Sequence, residues 1–491
     1  MARKRKFRLP DISDAMTVKN PRAAAADVGS RFHAVAVPPH LSPQEPARLF
    51  GCTTPELREV AAWLLSLGIT TVALESTGNY WVPLLRILEA AGLHVILVHP
   101  EYARQAKRTK FSDLDDAIWL QQMHAYGLLP PSFQPPAPFH RLRALWRYRE
   151  TLVADQAREV QRMQNALELM NLQLHKAISD ITGVTGLTII RAIVRGDHAP
   201  LHLVQYRDPQ CKCTEAELIK ALTGDYREEE LFVLGQVLSR YDFCLTQLTA
   251  VDAQIDVFMQ DLLRLLPPVP SAAPVTPRPP AVAKAAPSAD ADPSPQPPTY
   301  RKPNVAPAGS KRKRRSKREP AAYDWHAALQ QLLGVDATRI CGLSVLTVLA
   351  IIAEIGTDLS PWDSVQRFTS WLGLAPNHQV SGGKVLKRRT RRGKPHAAHP
   401  FYVAALAAAK SQTPLGNFYR YQKGRLGPKK ALTATARKIA VLYYNLLKYG
   451  PDYVEHGQQH LQEHLERRKV RQLHRLAKEL GVTITAAPAA A

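Results

Sequence analysis

The chain has 491 residues, of which 65 are Lys or Arg and 42 are Asp or Glu, so its formal net charge is +23. A chain of this length exceeds a single hydrophobic core and predicts about three domains. The positive charge favours a polyanionic partner, nucleic acid above all, although chromatin-like and ribosome-associated proteins share it. Five scattered cysteines argue against a disulfide framework, and no apolar run is long enough to span a membrane. We therefore predict a cytoplasmic protein with no membrane partner.

Residues 1–138 are predicted to contain a basic arm followed by an α/β domain. The arm, residues 1–19, lacks the apolar segment of a signal peptide and is suited to nucleic-acid contact. From residue 20 onward, strand-like segments at 23–28, 32–37, 70–75 and 93–98 alternate with helix-like segments at 55–67 and 82–91. Such alternation predicts a mixed sheet covered by helices.

Four acidic residues stand out in this domain because of where they fall. Asp27 and Glu75 end apolar runs that are predicted to be strands, and strand ends are where sites collect in open α/β sheets. Asp113 and Asp116 lie one turn apart at the start of an amphipathic helix, so both carboxylates share a face. Hard oxygen ligands of this kind suit Mg²⁺ (magnesium). Asp115 lies about 100° away around the helix and is predicted to face solvent.

Each of these acids also has an ordinary explanation. Asp27 precedes Val28-Gly29 and suits a turn, while Ser112 or Asp113 suits a helix cap. Two strand-end acids followed by a helix pair are nevertheless the arrangement in which a ribonuclease H-like domain holds metal ions. We therefore predict a magnesium site formed by Asp27, Glu75, Asp113 and Asp116.

Residues 139–265 are predicted to form long helices. One helix covers 139–178, and a second region with stricter apolar spacing covers 231–262. Spacing that is sustained over about four heptads predicts a coiled coil. Periodicity leaves open whether these helices pair with each other or with another subunit.

Residues 266–322 are predicted to form a disordered linker. Fourteen prolines lie between Pro267 and Pro307, and the basic run Lys311–Arg318 follows them. A segment of this composition cannot bury a core. The basic run is typical either of a solvated tail or of a phosphate-binding segment.

Residues 323–454 are predicted to form a mostly helical domain that carries a serine motif, and 455–491 a final amphipathic helix and tail. Ser381 precedes two glycines, which allow a ligand to approach the backbone closely. Seven of the eleven residues from Lys384 to Lys394 are basic, which suits phosphate binding. From composition alone, a flexible basic hairpin with Ser381 as a turn residue is the simpler explanation. The predicted nucleic-acid-binding residues are Gly382, Gly383, Lys384, Lys387, Arg388, Arg389, Arg391, Arg392 and Lys394.

Motifs in two halves of the chain match one known family. The first half contains Ala-Asp-Val-Gly around Asp27, Leu-Glu-Ser-Thr-Gly around Glu75, and Ser-Asp-Leu-Asp-Asp-Ala-Ile-Trp around Asp113 and Asp116. In the second half, Trp-Leu-Gly-Leu-Ala-Pro376 precedes Ser-Gly-Gly-Lys384. In this order the motifs resemble the insertion-sequence family one-ten of DEDD transposases, over about residues 20–180 and 330–450.

The resemblance implies a DNA transposase or recombinase with a RuvC-like α/β domain, a coiled-coil middle and a mostly helical transposase domain. It implies Mg²⁺ at the four acids, Ser381 as nucleophile, and a homodimer or homotetramer that composes the site across subunits. The implied partners are donor DNA, target DNA and a structured guide RNA, the bridge RNA. Two alternatives stay open: a metal-only RuvC-like junction-resolving nuclease, which needs no Ser381, and a non-catalytic RNA-binding scaffold.

Overall fold

The computed structural model describes the chain in several stretches, which are residues 17–76, 78–99, 112–265, 320, 322–382, 384–390 and 395–451, with parts of 467–481. For residues 377–381 and 384–389 it describes the backbone. The chain divides into two compact units between Gln134 and Pro135.

The first unit contains a five-stranded sheet. Neighbouring strands follow the order β3-β2-β1-β4-β5, in which β1 is antiparallel to β2 and parallel to β4. The sheet is therefore mixed, as predicted, because short connections join the antiparallel strands and helices join the parallel ones. The strands are β1 (Ala23–Val28), β2 (Phe32–Ala36), β3 (Ala47–Gly51), β4 (Thr71–Glu75) and β5 (His94–Val98).

One face of this sheet is covered by α1 (Thr54–Ser66) and α2 (Trp81–Ala90). Ala24 and Ala26 of β1 and Leu74 of β4 belong to the core on this face, together with Leu57 of α1 and Leu84 of α2. These buried side chains recur at every second strand position and along one side of each helix, which is why the alternating pattern predicted the layer correctly.

The opposite face is covered by α3 (Asp113–Ala125). Ala117 of α3 packs against Ala34 and Ala36 of β2, and Leu120 packs against Ala25 of β1 and Ala73 of β4. Because alanine side chains are small, the helix lies close to the strands. All the strand residues that it meets in these two clusters, apart from Val98 and the half-buried Ile96 of β5, are alanines.

The second unit begins with helices, in the region 139–265 for which long helices were predicted. α4 (Ala137–Leu169) is followed by α5 (Leu174–Ala177), α6 (Val184–Val194), α7 (Pro200–Leu203), α8 (Glu215–Leu222) and α9 (Glu228–Leu265). Contacts between the two long helices run from Arg141–Gln254 through Arg149–Asp252 to Glu159–Arg240, so α4 and α9 are antiparallel. The long helices therefore pair within one chain, and the short helices between them enclose a separate apolar core.

The C-terminal part of the second unit is mostly helical, as predicted. Its core contains the buried aromatic residues Trp325, Phe368, Phe401, Tyr443 and Tyr444. The Tyr444 hydroxyl donates a 2.7 Å hydrogen bond to the Trp362 carbonyl, which satisfies this buried polar group. The elements are α10 (Trp325–Leu333), α11 (Val345–Ile355), α12 (Val365–Trp371), the hairpin β6 (Pro376–Ser381) and β7 (Lys384–Thr390), α13 (His399–Ala409), α14 (Pro414–Leu426) and α15 (Pro428–Tyr449).

Ion pairs in which at least one partner is buried join the long helices to their neighbours. Arg149 of α4 binds Asp252 of α9 through Nε–Oδ1 and Nη2–Oδ2 distances of 2.6 and 3.3 Å. Arg147 of α4 binds both carboxylate oxygens of Glu354 in α11, at 2.7 and 2.9 Å. Bidentate pairs of this kind fix one register between helices, because sliding one helix by a residue would leave a buried charge unpaired.

Several sequence-based expectations require correction. The helix predicted over 139–178 ends at Leu169, because Asn171 adopts a left-handed conformation with a φ of 54° that an α-helix cannot continue. β3 and α14 are absent from the predictions: β3 is a half-buried edge strand, and α14 carries little apolar periodicity beyond Leu415.

Other expectations fall wholly or mostly outside the described residues. These are the basic arm before residue 17, the linker from 266 to 319 with its basic run, and most of the predicted C-terminal helix. Within the described stretches, no helix is long and apolar enough to cross a membrane.

The Arg149–Asp252 pair gives a first prediction about stability. Asp252→Ala should lower the free energy of unfolding by about 3–5 kcal/mol, because it leaves a buried guanidinium without its carboxylate. The double variant Arg149→Met/Asp252→Leu should recover most of this loss, as urea denaturation can measure. As a control, Asp242→Ala removes the half-exposed pair with Arg191 and should cost at most about 1 kcal/mol. Equal losses for Asp252→Ala and Asp242→Ala would contradict the role of the buried pair.

The end of α3 gives a second prediction, on pH dependence. His124 is buried, and its Nε2 lies 3.0 Å from the Thr71 hydroxyl of β4. Burial, and secondarily the charge of His94, lowers the pKa of His124 from 6.5 to about 4. Between pH 6.5 and pH 4, His124 is therefore protonated in the unfolded chain but neutral in the folded chain. The free energy of unfolding should fall by on the order of 3 kcal/mol as the pH drops through this range.

The matched variant for this prediction is His124→Gln, which keeps a polar side chain at Thr71 and removes the titration. The measurement is pulse proteolysis in urea, followed by the cleavage of peptides from β1 and β4. The variant should lose less stability in acid than the native chain. The same acid sensitivity in both proteins would show that His124 is not the titrating group.

Candidate functional site

Asp27 and Glu75 lie side by side at the ends of two central parallel strands. In the register of β1 and β4, Ala25 pairs with Ala73 and Ala26 with Leu74. Asp27 and Glu75 each follow the last of these pairs by one residue. Glu75 is thus the last residue of β4, as predicted, while Asp27 is the last but one of β1, and the register makes the two acids neighbours.

Both carboxylates belong to the face of the sheet that α3 covers. Side chains alternate along a strand, so Asp27 shares a face with Ala25, and Glu75 shares a face with Ala73. Ala25 and Ala73 pack against Leu120 of α3. The two acids are thus directed to the space between the sheet and this helix.

The direction of α3 brings its acidic first turn to the same end of the sheet. Near its C-terminus, the Gln121 side chain donates to the Ala23 carbonyl at 3.0 Å, and His124 contacts Thr71, the first residues of β1 and β4. α3 therefore runs opposite to these strands, and its N-terminus lies at the ends that carry Asp27 and Glu75. Asp113 and Asp116 precede Ala117 and Leu120 by one turn, so they occupy the side of α3 that faces the sheet.

Asp115 has a different role, in the helix cap. Its carboxylate accepts hydrogen bonds from the backbone N–H and the hydroxyl of Ser112, at 3.2 and 2.8 Å, and the Ser112 hydroxyl accepts from the Asp115 N–H. This reciprocal capping box fixes the start of α3, and Asp115 is exposed. Since Ser112 and Asp115 form the cap, Asp113 and Asp116 do not have that function.

The donor set fits a hard divalent cation in its chemistry. Glu75 is only 7% exposed, and a carboxylate at such a position must be compensated by hydrogen bonds or by a cation. Asp27 and Asp116 are half-buried, and Asp113 is exposed. In the described part of the chain, no group of three or more His, Cys, Asp and Glu side chains is close enough to hold a metal ion. The four acids thus lie toward one end of the sheet without forming a closed ligand cluster.

The serine motif lies in the second unit, on the hairpin of β6 and β7. Ser381 ends β6 and pairs in register with Lys384, the first residue of β7. Gly382, which follows Ser381, has a φ of 54°, the left-handed conformation that two-residue hairpin turns require. The basic segment is therefore a paired hairpin whose turn follows the serine directly.

The predicted phosphate-binding residues are described to different extents. For Ser381, Lys384, Lys387, Arg388 and Arg389 the backbone is described, and all five lie on the two strands. Gly383, Arg391, Arg392 and Lys394 lie outside the described residues. Their roles stay predictions.

Sequence patterns did not single out the alanines that hold α3 against the sheet. Ala25, Ala34 and Ala73 are completely or almost completely buried and contact the helix that carries two of the acids. The available signal was the run Ala23-Ala-Ala-Ala26 directly before Asp27, which indicates a strand that another element approaches closely.

Comparison with known proteins finds two family matches, the first of which extends across the boundary between the two units. A DEDD-type family model of the IS110 group, described as "Transposase", matches residues 24–172. A second, described as "Transposase IS116/IS110/IS902 family", matches residues 337–420. The first match contains all four carboxylates and the second contains Ser381. Together they support an IS110-family transposase, an enzyme class that cuts and rejoins DNA. No curated protein matches the chain significantly.

Removing a strand carboxylate or a helix carboxylate is expected to weaken divalent-cation binding. Glu75→Gln and Asp116→Asn each replace a charged oxygen ligand at nearly constant shape, so the affinity for Mn²⁺, measured by titration calorimetry, should fall by about tenfold or more. Asp115→Asn makes the same chemical change but keeps a side-chain oxygen that can accept from Ser112 in the cap, so the affinity should stay unchanged. Native affinity in Glu75→Gln and Asp116→Asn, or an equal loss in Asp115→Asn, would refute the predicted ligand set.

Proposed function

We propose that this chain is the recombinase of an insertion sequence, which cuts DNA strands and rejoins them to new partners with a metal-dependent four-acid site and a serine nucleophile. The observation that carries the proposal is the convergence of Asp27, Glu75, Asp113 and Asp116 on one end of the first unit's sheet. The two family matches support it, because they fall on the regions that contain these acids and Ser381.

In this proposal the four carboxylates hold the divalent cation, for which Mg²⁺ is the best candidate because all the donors are hard oxygens. When bound, the cation activates an attacking hydroxyl and stabilises the leaving oxygen of a phosphodiester. The protein's contribution is positional: β1 and β4 fix two of the carboxylates, and the capped start of α3 fixes the other two. The ribonuclease H-like assignment of this domain is part of the same proposal.

Ser381 is proposed to be the nucleophile. Its Oγ attacks the phosphorus of a DNA phosphodiester and loses its proton, while the bond to one deoxyribose oxygen breaks and that oxygen leaves as a hydroxyl after gaining a proton. A hydroxyl of another DNA strand then attacks the phosphoserine, which reforms a phosphodiester and returns the proton to Ser381. One phosphate ester is exchanged for another at each step, so rejoining needs no nucleotide hydrolysis.

The turn geometry supports a catalytic role for this serine. Ser381 is the last residue before a turn in which Gly382 has no side chain, and the exposed backbone there admits a close approach of DNA. The basic residues of β7 and of the segment up to Lys394 would bind the phosphates on either side of the cut.

The proposed partners are donor DNA, target DNA and a structured guide RNA that pairs with both, as the family resemblance implies. The net charge of +23 supports polyanionic partners.

A homodimer or homotetramer, with the active site composed across subunits, is supported by apolar side chains on α9. Phe232 and Phe243 are 67% and 62% exposed. They are eleven positions apart, which is about three helical turns, so they lie on the same side of the helix.

Ser381→Ala is expected to abolish the covalent protein–DNA adduct and strand exchange while leaving nucleic-acid binding intact, since only the nucleophilic oxygen is removed. Denaturing gel electrophoresis of reactions with labelled DNA and Mg²⁺ measures the adduct. Ser370→Ala, at an exposed position of α12, is the matched control and should form the adduct normally.

Four outcomes would each contradict part of this proposal. An adduct formed by Ser381→Ala would remove the serine from the mechanism. Strand cutting without any adduct in the native protein would favour a metal-only nuclease, and full activity in EDTA would refute the metal site. Binding without cleavage under any divalent metal would favour an RNA-binding scaffold.

A further inference from the structure

The region from residue 364 to residue 451 has an extreme charge composition. It contains 17 Lys and Arg and no Asp or Glu, whereas acidic residues make up 42 of the 491 residues in the whole chain. Seven of the 17 belong to the segment from Lys384 to Lys394, which the serine motif already accounts for. The others lie mostly on the helices that follow, and nothing in the proposed chemistry assigns them a role.

Four of these cations surround the turn between α14 and α15. Lys423 and Arg425 lie in the last turn of α14, and Lys429 and Lys430 lie in the first turn of α15, on either side of Gly427. All four side chains are exposed. We call this group the α14–α15 basic tip.

Within the described stretches, no carboxylate forms a salt bridge with any of the four side chains of the tip. Arg420, earlier on α14, is different: its guanidinium donates to the Ser411 carbonyl, the Gln412 side chain and the Asn417 side chain at 2.9, 3.1 and 2.7 Å. Arg420 therefore has a structural role in the loop before α14, while the tip exposes its charge to solvent.

The helix geometry extends the basic surface beyond the tip. Arg437 lies seven positions after Lys430, which is about two helical turns, so the two lie on the same face of α15. On α14, the Arg425 guanidinium lies 5.8 Å from the centre of the Tyr421 ring, which places an aromatic side chain beside the cations. Cations mixed with an aromatic group and free of carboxylates form a surface suited to a nucleic-acid backbone.

The position of the two lysines is unfavourable for the helix itself. Lys429 and Lys430 occupy the first turn of α15, which has no acidic residue, and the partial positive charge of a helix N-terminus repels cations. The chain thus carries these charges at some cost to the stability of α15. A polyanion bound at the tip would offset that cost.

We propose that the α14–α15 basic tip binds the phosphate backbone of a double-stranded nucleic acid, as a second contact surface separate in sequence from the hairpin that carries Ser381. The inference deepens the proposed function, on which it rests for the presence of DNA and RNA partners. The shared chemistry is a run of backbone phosphates, which duplex DNA and the paired stems of a structured RNA both present.

The test uses the full-length protein and a double variant, Lys429→Gln/Lys430→Gln. Binding to a duplex DNA and to an RNA hairpin is measured by fluorescence anisotropy over a series of salt concentrations. Loss of two phosphate contacts should weaken binding and reduce the slope of log affinity against log salt by about 2. Lys212→Gln/Lys220→Gln, at two exposed positions in and beside α8, removes the same charge and should leave the slope unchanged.

The two probes identify the source of the phosphates. A reduced slope with the DNA alone assigns the tip to DNA, and a reduced slope with the RNA alone assigns it to RNA; either supports the inference. An unchanged slope with both probes overturns it and leaves the proposed function standing. If the native protein binds neither probe, the proposed function fails together with the inference.

Charge reversal separates binding from folding. In Lys429→Glu/Lys430→Glu the new carboxylates interact favourably with the N-terminus of α15, so Tm should stay constant or rise. Binding should fall further than in the glutamine variant, because the tip now repels phosphates. Native affinity in this folded variant would overturn the inference.

Discussion

The packing of α3 against the alanine-lined face of the sheet is the contact on which the candidate metal site depends. The small side chains on this face let the helix lie close to the strands. Leu120 of the helix packs against Ala25 and Ala73, and Ala117 packs against Ala34 and Ala36. The opposite direction of helix and strands then brings the first turn of α3 to the ends of β1 and β4. A larger side chain at any of these alanines would move two of the four carboxylates away from the other two.

The candidate metal ligands and the most basic region of the chain lie in different units. The acids proposed to bind metal lie in the first unit, while the region from 364 to 451 in the second unit contains only basic charges. In the proposed reaction, Lys and Arg side chains of this second region would bind DNA phosphates. The buried pair of Arg149 with Asp252, and the pair of the partly exposed Arg147 with the buried Glu354, hold the second unit's long helices in one register.

Much of the first unit was predictable, because strands and helices that are buried on one side leave a clear apolar periodicity in the sequence. The acids of the candidate site stand where these apolar segments begin or end. Edge strand β3 was missed because it is half-buried and short, and the helix before Asn171 was predicted too long because apolar spacing does not report a left-handed residue. Periodicity also left the partner of α9 open, which the Arg149–Asp252 and Glu159–Arg240 contacts identify as α4 of the same chain. The alanines under α3 carry no polar signal, and apart from the run Ala23-Ala-Ala-Ala26 before Asp27 nothing in the sequence indicates their role.

The central claim is that Ser381 and the four carboxylates act on the same DNA phosphate. The most direct measurement is mass-spectrometric mapping of the covalent complex formed by the full-length protein with DNA and guide RNA in Mg²⁺. The expected result is a nucleotide joined to the peptide that contains Ser381, with no complex formed when Glu75→Gln replaces the native protein. A nucleotide on another residue, or the same complex formed by Glu75→Gln, would contradict the claim.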